Sequence, residues 1–122
     1  MPKSYQDLDV WKESRQLVKL VYKLSRTFPN DEIYGLTQRM RRAAVSQFAN
    51  ISEGLGRRYK KETVHFLPNA KGSLYELEAE IIVALDQNYL TEAAYNDIRD
   101  RIGFVLRLGN GTIKYFENAK LS

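Results

Sequence analysis

Residues 34–57 read YGLTQRMRRAAVSQFANISEGLGR, and the reading of this stretch decides the fold. At helical spacing Arg39, Ala43, Ser46, Asn50, Glu53 and Arg57 fall 3 or 4 residues apart and line one face. Ile33, Leu36, Met40, Ala44, Phe48, Ile51 and Leu55 supply an apolar face beside it. The stretch is therefore expected to be one long amphipathic helix over about 31–56, with Asn30 as its N-cap and Asp31 and Glu32 favourably placed at the positive end of the helix dipole. Gly35 costs about 1 kcal/mol relative to alanine but lies near the start, and Gly54 and Gly56 punctuate the end.

Helical spacing continues on both sides. Before it, Val10, Ser14, Leu17, Val21, Leu24 and Phe28 form a core stripe in a helix over about 7–27. Ser4 with Asp7 resembles a capping box there, and Pro29 stops the helix. Lys12, Arg15, Lys19, Lys23 and Arg26 cover its other faces, where lysines and arginines ordinarily solvate a helix. After it, Leu67, Ala70, Leu74, Leu77, Ile81 and Ala84 or Leu85 give a third helix over about 60–88, with Glu76 and Glu80 one turn apart on another face. Pro68 removes a backbone hydrogen bond inside that span, so the helix either kinks there or starts near it; Val64 and Phe66 favour the kinked long helix. Thr91 caps a fourth helix over about 92–118, carried by Tyr95, Ile98, Ile102, Val105 or Leu106, Ile113 and Phe116. Gly109, Asn110 and Gly111 break the pattern, so the last turns are expected to bend or to form a separate short helix.

Four helices joined by short connections predict an all-α fold, an antiparallel up-down-up-down four-helix bundle in a single domain over 1–122. The 122 residues, 43% hydrophobic and 28% charged, are enough for one core and too apolar for disorder. No apolar run reaches the roughly 20 residues of a membrane span, and the N-terminus lacks a signal-peptide segment, so the expected location is cytoplasmic with no membrane partner. A net charge of +4 permits nucleic-acid binding without arguing strongly for it.

Catalysis is disfavoured by elimination. The chain has no cysteine and one histidine, His65. Glu62 and His65 have the i, i+3 spacing of di-iron carboxylate bundles, but such a site takes two copies of that pair and two more glutamates, so a surface histidine is the better reading. No glycine-rich phosphate loop or nucleophile elbow occurs, and Ser46 has no histidine near it in sequence to activate it. The expectation is a non-enzymatic protein with no cofactor and no metal.

Two polar features carry alternative readings. Residues 57–61, RRYKK, are the densest basic cluster, either a solvated corner between helices or a phosphate-contacting patch with an aromatic for stacking. The face of Arg39, Ser46, Asn50, Glu53 and Arg57 is either a satisfied network at a helix or subunit contact, which would fix register, or a set of arginines that contact phosphates.

The ordered set Asp9-Val10-Trp11, Phe28-Pro29, Tyr34-Gly35-Leu36-Thr37, Arg41-Arg42-Ala43-Ala44 and Asn50-Ile51-Ser52-Glu53-Gly54-x-Gly56-Arg57 resembles the four-helix-bundle proteins encoded in intervening sequences of bacterial 23S rRNA genes. Phe66-Leu67, the run from Ala70 to Glu78 and the Tyr89-Leu90 corner extend the resemblance to about Leu108. Pro68 and the Gly109–Gly111 segment depart from that pattern and put the straightness of the third and fourth helices in question. The resemblance implies a ring-like homo-oligomer, a homopentamer, linked to ribosomal RNA by gene location and related to nucleic-acid-binding accessory proteins of diversity-generating retroelements. Together with the local basic density, it makes Arg41, Arg42, Arg57, Arg58, Lys60 and Lys61 the expected RNA contacts. The alternative is an oligomeric protein-interaction scaffold that binds no nucleic acid.

Overall fold

The computed structural model describes residues 4–57 and 60–121. They form an all-α four-helix bundle: α1 is Asp9–Ser25, α2 Leu36–Gly56, α3 Lys60–Asp86 and α4 Glu92–Leu121, with short 3-10 turns at Tyr5–Asp7 and Asn30–Glu32. α2 packs on α1 and α3, and α4 closes the ring by packing on α3 and α1. Cross-helix bonds fix the directions. Trp11 bonds Ser52, Ser14 bonds Gln47 and Ser25 bonds Arg41, so numbers rise on α1 as they fall on α2. The same reversal relates α2 to α3, where Ser46 meets Ser73 and Arg57 lies over the ring of Phe66.

The expected apolar stripes become the core. Leu17, Val21, Met40, Leu77, Ile81 and Ile102 are at most 1% exposed and fill the main cluster. A second cluster of Val10, Ile51, Leu67 and Ala70 closes the other end, with Trp11 and Phe116 packed against it. Each fully buried leucine or isoleucine contributes about 1.5–3 kcal/mol relative to exposure, so the stripe positions hold the bundle together.

The start of the second helix corrects the sequence reading. Asn30 and the acids after it form only a 3-10 turn, and α2 begins at Leu36, not near residue 31. Glu32 takes over the capping: its Oε1 accepts from the Leu36 amide at 3.3 Å. A Cβ on Gly35 would stand 2.8 Å from that oxygen, which explains glycine there. Ile33, expected on the apolar face, consequently lies before the helix and is 51% exposed. Likewise Ser4 caps the Tyr5–Asp7 turn through Gln6, and α1 itself starts at Asp9.

The breakers of the later helices do not break them. α3 runs continuously through Pro68, whose ring is exposed, and α4 runs continuously through 109–111 instead of yielding a separate short helix. α3 stops in a Schellman arrangement: the Tyr89 amide donates to Ala84 O, the Asn88 amide to Leu85 O, and Asn88 takes φ 62°. Thr91 Oγ1 then accepts from the Ala94 amide at 3.1 Å and caps α4.

Candidate nucleic-acid interface

The polar face of α2 sits along its seam with α3. Ser73 Oγ donates to Ser46 Oγ at 3.1 Å, and Asn50 Nδ2 donates to Ser46 O at 2.9 Å. One turn on, Glu53 pairs with Arg57 at 2.9 Å, and the Arg57 guanidinium lies 4.8 Å from the centre of the Phe66 ring. That ion pair is half exposed, so it contributes only a few tenths of a kcal/mol.

At the other end of the seam the sequence reading missed a buried acid. Glu80 is 9% exposed, and its Oε1 is buried without a hydrogen-bond partner among the described residues. Burial first, and then the nearby Glu76, raise its pKa to about 7 against the opposing charges of Arg39 and Arg42. Sequence spacing sets Glu76 and Glu80 on a separate face of α3; what it lacks is the register that brings Glu80 within the field of Arg39 and Arg42. A second missed pair is fully buried: Gln47 Nε2 donates to Ser14 Oγ at 2.8 Å. Its signal was a serine on an otherwise apolar stripe.

The expected RNA contacts divide between two places. Arg41 and Arg42 lie near the start of α2. Arg57 lies at its end, 16 residues and about 24 Å further along the axis. Arg58 lies outside the described residues, as do the side chains of Lys60 and Lys61 at the start of α3. His65 is exposed, with its ring against Phe66.

Arg41 is held on two sides: its Nε donates to Ser25 Oγ at 2.9 Å, and its guanidinium lies 4.8 Å from the centre of the Tyr22 ring. No bond engages its terminal amino groups among the described residues. Beside it opens a shallow groove of about 390 Å³, lined by Tyr22, Tyr34, Gln38, Arg41, Arg42 and Val45 among others, and by no acidic residue. Two guanidinium groups and an open aromatic ring give this groove donors for an anion and a face for stacking.

These features define a helical-bundle protein with a polar α2–α3 seam and a basic, aromatic groove at one end of α2. Residues 6–111 match the family model described as 23S rRNA-intervening sequence protein, and the chain belongs to that family. The fold is also similar to the crystal structure of a protein with unknown function from the S23 ribosomal protein family of Bacteroides thetaiotaomicron VPI-5482. That likeness has 20% identity and a TM-score of 0.79, and covers 86% of this chain and 95% of that one. No curated protein matches the chain significantly. The family description names no enzymatic activity, and no described helix is long and apolar enough to cross a membrane.

Proposed function

We propose that this chain is a non-enzymatic, oligomeric, cytosolic bundle that binds RNA, in keeping with a family described by its 23S rRNA intervening sequence. The observation that carries the reading is the pair Arg41 and Arg42 on an acid-free groove. A guanidinium already fixed by Ser25 and Tyr22 loses little freedom on meeting a phosphate. The corner of Arg57, Arg58, Lys60 and Lys61 adds a second basic position within one chain, and an oligomer, a homopentamer on the family resemblance, would repeat both. Filter binding of RNA across a salt series tests it. Arg42→Glu, and separately charge reversal at 57, 58, 60 and 61, should each weaken binding and flatten its dependence on salt, because fewer counterions are released. Unchanged affinity and slope in both variants would sink the reading.

A specific observation supports self-association. The outer side of α3 leaves Tyr75, Ile82 and Val83 about half exposed at helical spacing, an unusual concentration for a solvated helix face. Light scattering at high salt is expected to give a mass several times 14.2 kDa. The same apolar side chains suit the scaffold reading, in which another protein is the partner; stoichiometric protein without RNA in a purified sample would favour that reading.

A further inference from the structure

Tyr34 is 86% exposed and stands with Ile33 and Val45, 51% and 43% exposed, around the two arginines of the groove. Single exposed apolar residues are ordinary, but three of them beside paired cations form a surface that complements a flat ring attached to an anion. We propose that the groove takes an unpaired RNA segment, with a nucleobase stacked on Tyr34 and the flanking phosphates on Arg41 and Arg42. This inference rests on the RNA-binding reading above and adds to it the strandedness of the ligand.

Duplex RNA does not fit the same chemistry. In an A-form helix the base faces are stacked on one another and the deep groove is closed to side chains, so Tyr34 would meet only sugar and phosphate. An unpaired base offers its π-face to the tyrosine whatever its identity, so the groove selects strandedness more than sequence. Gln38 lines the same groove and carries both a donor and an acceptor for a base edge.

Fluorescence anisotropy with a labelled ten-nucleotide oligouridylate and an RNA duplex of equal length tests the assignment. The single strand should bind at least about tenfold more tightly. Tyr34→Ala should weaken the single strand by about five- to a hundredfold and leave duplex binding unchanged, while Tyr34→Phe keeps wild-type affinity because the ring is retained. Arg42→Ala should lower the salt slope by about 0.7, one phosphate on a single strand. Because the Tyr34 ring is mostly in solvent, both tyrosine variants should melt with the wild type, which separates loss of binding from loss of fold. Equal binding of duplex and single strand, or an unaffected Tyr34→Ala, overturns the inference while RNA binding itself stands. Failure to bind either probe overturns both.

Discussion

The Tyr89 hydroxyl donates to Glu32 Oε2 at 2.9 Å across 57 residues of sequence, while the other oxygen of the same carboxylate caps α2 at Leu36. One acid thus ties the α1–α2 connection to the α3–α4 corner. The same hydrogen bond raises the Tyr89 pKa, with burial and then the charges of Glu32 and Asp31 adding to it. Tyr89→Phe should destabilise the fold, since it removes a hydrogen bond to a charged acceptor but keeps the ring, tilted against Phe28 with the centroids 5.4 Å apart. Gly35→Ala should cost more, because its Cβ displaces the capping oxygen and so disturbs both bonds. Urea unfolding of the two variants orders the losses.

Glu80 makes stability depend on pH with a defined sign. Its folded pKa of about 7 lies above the ordinary carboxylate range, so between about 4.5 and 7 the folded chain holds the proton more tightly than the unfolded one. Stability from this group is therefore complete below about 4.5 and is lost as the pH rises through 7. Arg39 and Arg42 from α2 and Glu76 from α3 are the charges that act on it. Glu80→Gln should leave the melting temperature at pH 4 nearly unchanged and raise it by several degrees at pH 8, about 1–3 kcal/mol. A variant with the wild-type pH profile would remove Glu80 as the cause.

The four helices are legible in sequence because their stripes are local. Val10, Leu17 and Val21 on α1, and Leu67, Leu74, Leu77 and Ile81 on α3, recur in steps set by the helix and are all buried. The start of α2 is not legible in the same way. Asn30, Asp31 and Glu32 have the chemistry of a helix beginning, yet the cap that acts depends on where Glu32 is held by Tyr89, and that contact has no local signature. The candidate site divides along the same line. The polar face of α2 follows from spacing alone, whereas Ser73 and Glu80 opposite it depend on the register between two helices. The groove at Arg41 depends on Tyr22 and Ser25 of α1, which spacing within α2 cannot supply.

The buried pair Ser14 and Gln47 offers a double-mutant test of whether polarity in this core stabilises or only specifies. Ser14 Oγ donates to Val10 O at 2.6 Å and accepts from Gln47 at 2.8 Å, while Gln47 Oε1 has no partner among the described residues. Ser14→Ala alone leaves the buried Gln47 amide group without its acceptor and should cost about 1–3 kcal/mol. Ser14→Ala combined with Gln47→Leu removes every polar atom of the pair and should recover most of that loss. Chemical denaturation of both variants decides it; a double variant no more stable than Ser14→Ala would show that the hydrogen bonds themselves stabilise the core.

The continuous course of α3 and α4 through Pro68, Gly72, Gly109 and Gly111 implies stability that the sequence leaves unused. A Cβ added at Gly72, Gly109 or Gly111 meets nothing within 4 Å, so alanine at each site restricts the unfolded chain without any clash. Each substitution should add about 0.5–1 kcal/mol. Pro68 lacks the amide that would close a turn of α3, and its side chain is exposed, so Pro68→Ala should add about 1–3 kcal/mol by restoring that hydrogen bond. Thermal unfolding of the variants measures each gain. A loss of stability at Pro68→Ala would show instead that the proline sets a helix geometry that packing against α2 and α4 requires.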